Sequence, residues 1–392
     1  MNYNNPQHRA AVGWCYFLYS VLFCTFCYIF LWKVQGGMLG MAQHILSHGQ
    51  TVYFPPIGAL VLTVVLWLVQ LLLNSITRLR GEWYALSFFP SFLLLAALTY
   101  ADSTLYTGAS ITPLKVGVPL ALLVYFVVAF TLRGTAPFTS QRGYGWEIRL
   151  LLPNAIIMML SFIFTCSLSY TEKELHNQVE IEYAIARGDY QKALTIGKYS
   201  PKVNQTTTAL RAVAMAYEGV LGDKLFNYPQ LYGAEGLLLN RADSLRLLYS
   251  PDSLYFRLGA YPSARTTTAL MFLQWLDKSE KQRKPLAKDY LLAALLLECK
   301  LPEFVEELNK IQEISDSIDY PRYYQEALIL YRHRFRPELP YHNIIQETNY
   351  EDYQAAMRQG QDDNAASNLA GEDFGTTYWW YYDFGNMKNE EE

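Results

Sequence analysis

Residues 57–76 read IGALVLTVVLWLVQLLLNSI, with no charged side chain anywhere in the stretch. An α-helix rises 1.5 Å per residue, so such a stretch covers about 30 Å, the thickness of a bilayer's hydrocarbon core. Backbone polar groups find no water there, so a helix, which pairs them internally, is the conformation physics dictates. Four more stretches have the same character, at residues 11–32, 83–100, 116–132 and 150–170. Residues 171–392 contain none. The fold expected is all-α: a five-helix transmembrane domain over residues 1–170, then a soluble domain.

Positive charge resists translocation, so short basic flanks stay in the cytoplasm. With the N-terminus inside, Arg9, Arg78, Arg80, Arg133, Arg142 and Arg149 all lie on the cytoplasmic side. Lys33 and Lys115 alone fall outside, each at a span end where its stem can snorkel. Five crossings then place the C-terminal domain outside the cytoplasm. The first span is too long and too poor in small residues near Trp32-Lys33-Val34 for a cleaved signal peptide, and reads as an anchor.

Charge is unevenly divided. Residues 1–170 hold 8 basic and 3 acidic side chains, whereas residues 171–392 hold 24 basic and 33 acidic, a net of −9. An acidic domain is a poor match to phosphate, which excludes nucleic acid as the expected partner. Cys15, Cys24, Cys27 and Cys166 lie in spans, and Cys299 alone lies beyond them, so no disulfide framework is expected.

Helical periodicity recurs after residue 170. Residues 172–187 end in Gly188-Asp189-Tyr190, followed by Gln191-Lys192-Ala193. Glycine allows the reversal, Asp caps the next helix, and Tyr and Ala pack where the two helices cross. This turn resembles the Gly-Asp-Tyr-x-x-Ala turn of tetratricopeptide (TPR) repeats, although Glu180 and Ile181 stand where that pattern has Leu and Gly. Gly222-Asp223 follows 34 residues after Gly188-Asp189, the TPR period. Thr-Thr-Thr-Ala-Leu occurs at 206–210 and 266–270, reading as helix starts. Further helices are expected at 234–249, 252–258, 267–276, 286–298, 302–314 and 321–333. Residues 171–336 therefore read as a TPR-like α-solenoid with irregular spacing, and residues 337–392 as an acidic segment with one short helix at 350–359.

That last segment carries Tyr378-Trp379-Trp380-Tyr381-Tyr382. Five adjacent aromatics favour burial or association. They read as a cap on the last hairpin, as a partner site, or as a foot on the bilayer. Arg332, Arg334 and Arg336 alternate at a helix end, where they complement the macrodipole and pair with acidic neighbours or bind an acidic peptide. These eight residues are the candidate partner-binding set.

Enzymatic signatures are sparse. Asp373-Phe374-Gly375 and Asp383-Phe384-Gly385 match a kinase metal-binding tripeptide without any companion motif. His44 and His48 stand four apart in an outer loop, with residues 38–48 expected as an amphipathic helix on the bilayer surface. The spans contain no ionisable Asp, Glu, Lys, Arg or His, which argues against ion-coupled transport, though Gln70, Asn74 and Asn154 could line a polar path. Asp102 is an acidic residue in a loop of the kind that glycan-handling membrane enzymes use. The reading assigns no catalytic residue, no cofactor and no metal.

As a whole the chain resembles uncharacterised multi-pass inner-membrane proteins of Gram-negative bacteria with a TPR-like tail, on the Gly188–Ala193 turn and the aromatic run at Tyr378–Tyr382. The resemblance implies a bacterial inner-membrane location with the tail in the periplasm. The function expected is binding of a protein or peptide partner without chemistry. The alternative is an envelope enzyme or transport subunit acting on lipid-linked glycan through the membrane domain.

Overall fold

Apolar runs that pair their own backbone groups become helices, and helices make up the ordered elements of this chain. The computed structural model describes residues 6–107, 112–133, 146–169, 173–198, 200, 203–241, 247–263, 266–279, 281–335, 338–360 and 362–385. For residues 6–11, 101–107, 112, 113, 146, 147, 149 and 363 it describes the backbone alone. Among the described residues there is no strand. The chain forms two units, Met1–Glu172 and Lys173–Glu392.

In the first unit, five helices are long and apolar enough to cross a membrane: Val12–Val34, Pro55–Thr77, Gly81–Tyr100, Leu114–Arg133 and Leu150–Leu168. They belong to α1 (Pro6–Ile29, extended by a π-turn Phe30–Val34), α3 (Pro55–Thr77), α4 (Phe89–Thr107, preceded by a 3-10 stretch Gly81–Phe88), α5 (Thr112–Arg133) and α6 (Trp146–Leu168). The third span is 61% buried and the fourth only 11%, so the third is the centre of the bundle. Phenylalanines fill that centre: Phe23 lies 4.9 Å from Phe88 and 5.0 Å from Phe92, ring to ring.

The 3-10 stretch breaks the regular α-helical ladder inside an apolar bundle, where unpaired backbone groups are costly. Asn154 of α6 repairs it. Its Nδ2 donates to the carbonyls of Gly81 (2.9 Å) and Leu150 (2.7 Å), and its Oδ1 accepts from the Ala85 N–H (2.7 Å). The Gly81 N–H donates to the Tyr16 hydroxyl at 2.7 Å. Gln70 donates to Ser87 at 2.8 Å. Gln70 and Asn154 are therefore engaged in helix–helix contacts.

A further helix, α2 (Gly36–Leu46), lies between the first two of these membrane-length helices in the chain. The expectation of a surface-lying amphipathic helix is corrected here. Gly36 and the consecutive residues Met38–Ala42 are buried, partly against α4, so burial surrounds the helix instead of following one stripe.

The second unit begins with α7 (Lys173–Ala186) and α8 (Tyr190–Thr195). Gly188 adopts φ 74°, Asp189 accepts from the Lys192 N–H at 3.2 Å, and Ala193 is fully buried. Tyr190 stacks on Tyr217 of α9 (Gln205–Glu218), with centroids 4.6 Å apart. Asn204, not the threonine run, caps α9 through the Thr207 N–H at 2.7 Å. Helix α9 ends at Gly219 (φ 70°), so Gly222 and Asp223 lie inside the short α10 (Leu221–Lys224) and do not form the expected second turn. Gly222 instead permits close approach, since a Cβ there would sit 2.7 Å from Pro321 Cβ.

Residues 233–237 form a 3-10 turn, where a helix over 234–249 was expected; residues 242–246 of that range lie outside the described set. Tertiary contacts override the helical period. A Cβ on Gly236 would come within 3.0 Å of Thr208, and the Ala234 N–H is taken by Glu298 at 2.9 Å. The chain continues through α11 (Pro251–Leu258), α12 (Ala269–Lys278), α13 (Pro285–Leu297), α14 (Leu301–Ile311), α15 (Arg322–Arg334), α16 (Ile344–Gln359), α17 (Asp363–Phe374) and α18 (Tyr378–Trp380). Thr268 caps α12, accepting from the Met271 N–H at 3.2 Å. Every residue from Tyr290 to Leu297 is buried, making α13 the axis about which its neighbours pack.

Candidate partner interface

The terminal aromatic run packs inward. Tyr378, Trp379 and Tyr381 are exposed by 0%, 1% and 5%, while Trp380 and Tyr382 are half-buried. The Trp379 indole donates to the Glu326 carbonyl (2.8 Å), Tyr381 to the Leu297 carbonyl (2.9 Å), and the Trp380 indole to the Ser367 carbonyl (3.1 Å). The two indoles and the Tyr381 hydroxyl are thus used within the unit. Phe226, Tyr228, Gln230, Trp380 and Tyr381 line a cleft of ≈ 390 Å³.

The Glu326 carboxylate anchors the start of this run. It accepts from the Tyr378 N–H at 2.6 Å and from Arg322 Nε at 2.7 Å. Burial raises its pKa to about 7, against the opposing pull of Arg322. Arg332 donates to Glu347 (2.7 Å) and the Tyr341 carbonyl (2.8 Å), and Arg334 to Asp383 (2.6 Å). Asp383 also accepts from Tyr353 at 2.7 Å, which gives the second Asp-Phe-Gly tripeptide a structural role. Arg336 lies outside the described residues. Of the candidate set, Arg332, Arg334 and the five aromatics are drawn into one intramolecular cap.

In the membrane unit, His44 is half-buried near the end of α2, and His48 follows the helix with φ 52°. The two histidines therefore do not share a helical face. Asp102 belongs to α4, its side chain outside the described set. Among the described residues, no group of three or more His, Cys, Asp or Glu could hold a metal.

The larger concavity lies elsewhere and was not singled out from the sequence. A groove of ≈ 820 Å³ is lined by Trp275, Asp277, Lys278, Ser279, Lys281, Gln282 and Arg283, by Lys288, Leu291 and Leu292 of α13, and by Glu307, Lys310 and Ile311. Five cations line it, against Asp277 and Glu307. Arg283 is paired with Asp277, and Lys310 with Glu306 and Glu307, contacts that raise the Lys310 pKa. Lys278, Lys281 and Lys288 make no ion pair among the described residues. Trp275 and Ile311 are 42% and 43% exposed, an apolar pair rimmed by positive charge. The sequence signal was the cluster Lys278, Lys281, Arg283, Lys284 and Lys288 within an acidic half.

No curated protein and no solved structure matches this chain. A family model, described as a family of unknown function (DUF6057), matches residues 97–275 and 263–385, together most of the chain. The chain, with its apolar membrane-length helices and its helical second unit, belongs to that family.

Proposed function

We propose that this chain is a membrane-anchored helical-repeat protein of the bacterial inner membrane that holds a protein or peptide partner on the periplasmic side, without chemistry of its own. The groove across α12, α13 and α14 carries the reading: it combines exposed apolar anchors with lysines that make no ion pair among the described residues, the composition of a recognition surface. The left-handed Gly188, the Asp189 cap and the buried Ala193 support a TPR-like origin for the first hairpin. The arginine bias at the span ends supports a cytoplasmic N-terminus and a periplasmic second unit.

Cross-linking in intact cells, read by mass spectrometry, tests the binding role. The expected result is a defined envelope protein that is captured by the full chain and lost both from Trp275→Ala and from a chain lacking residues 171–392. Equal capture by all three sinks the reading. Alanine at Asp102, His44 and His48 is expected to leave the cellular phenotype intact; its loss would point to a membrane enzyme instead. A C-terminal reporter fusion active only in the periplasm checks the orientation, and activity only in the cytoplasm reverses it.

A further inference from the structure

We infer that the groove formed by α12, α13 and α14 takes an acidic, amphipathic segment of the partner. This inference rests on the partner-binding reading above and specifies the chemistry of the occupant. Residues 278–288 contain five basic side chains and one acidic, Glu280, in a half of the chain whose net charge is −9. Two of the five are satisfied internally. Arg283 pairs with Asp277, and Lys284 donates to the Phe256 carbonyl at 2.6 Å while its ammonium lies 3.6 Å from the centroid of that ring. Lys278 and Lys281 are exposed and Lys288 is half-buried, and all three line the groove. With no ion pair of their own among the described residues, these three ammonium groups form a positive strip beside Trp275 and Ile311.

Two demands follow for whatever fills the groove. It must bring carboxylates to the strip, and it must bring apolar side chains to the exposed Trp275 and Ile311. An acidic amphipathic helix or strand meets both, because each presents one charged face and one apolar face. A flat headgroup layer fits less well: it can reach the exposed Lys278 and Lys281, but Lys288 is half-buried.

The test uses the full chain in neutral-lipid nanodiscs and labelled 18-residue amphipathic peptides with Glu, Gln or Lys on the polar face and Leu on the other. Fluorescence anisotropy reads affinity at low and high salt. The Glu peptide is expected to bind, and to bind less tightly as salt rises. The triple variant Lys278→Gln, Lys281→Gln, Lys288→Gln is expected to weaken it about tenfold, with an unchanged circular dichroism spectrum. The Gln peptide should show a similar loss against the unaltered chain.

If the Glu peptide fails to bind, or binds the triple variant equally well, the acidic occupant is overturned. The broader reading then stands only if the cellular cross-link is still lost from Trp275→Ala. If that cross-link also survives, both fall. Binding of anionic vesicles that the triple variant abolishes, without peptide binding, assigns the strip to a bilayer surface and overturns the inference.

Discussion

Glu326 makes a buried carboxyl the hinge of the terminal cap, since one side chain satisfies both the Tyr378 N–H and Arg322. Its pKa rises from 4.5 to about 7 because burial penalises the charged form more than Arg322 favours it. A carboxyl whose folded-state pKa is raised binds more protons folded than unfolded between those values. Its stabilisation is therefore complete below about pH 4.5 and is lost as pH rises through about 7. Hydrogen exchange across residues 377–385 should accordingly quicken from pH 5 to pH 8 after correction for intrinsic rates, and Glu326→Gln should flatten that dependence. An identical slope in the variant would assign the titration to another group. Glu326→Ala, which strands both partners, is expected to lower the unit's unfolding free energy by about 3 kcal/mol in denaturant titration. Little of this was legible beforehand. Glu326 reads as one more acidic residue on a helix, and only the fold brings it against Tyr378, 52 residues away.

Among the elements, the third span shows where sequence periodicity stops being informative. Residues 81–100 are apolar enough to read as one helix, yet the first eight positions are 3-10. An unbroken apolar run has no pattern that separates the two conformations, and the deciding contacts come from Asn154 and Tyr16 on other helices. Asn154→Leu keeps the branched shape and removes three hydrogen bonds. It is expected to destabilise the five-span unit by about 2 kcal/mol in mixed-micelle unfolding, a sum of modest intramembrane bonds. No change would mean that the 3-10 stretch satisfies itself. Helices α13 and α14 were placed from sequence to within three residues, because Pro285, Pro302 and dense leucine mark them clearly. Leu295 on α13 is fully buried, and Leu295→Ala should cost about 3 kcal/mol through the cavity it leaves. Trp275→Ala, on the exposed groove wall, should cost less than about 1 kcal/mol by the same chemical denaturation. That contrast separates packing from recognition on adjacent helices.

At the scale of the whole molecule, each unit has its own buried core: aromatic and span residues in the first, leucine, alanine and tyrosine in the second. Residues 173–392 produced alone should therefore be soluble and helical, with a cooperative thermal transition by circular dichroism. Aggregation or a non-cooperative melt would show that the second unit depends on the spans. What the sequence by itself determined was the number and position of the helices long and apolar enough to cross a membrane, the all-helical class, the division near residue 170, and the hairpin turn at Gly188-Asp189. Each depends on local composition or on a turn a few residues long, where solvent and backbone geometry leave little choice. The tertiary structure decided the 3-10 course near residue 233, the inward packing of the aromatic run, the pairing of Arg332 and Arg334, and the groove lined by Lys278, Lys281 and Lys288. Those outcomes depend on which distant surfaces meet, and side-chain contact across many residues of chain leaves no period to read.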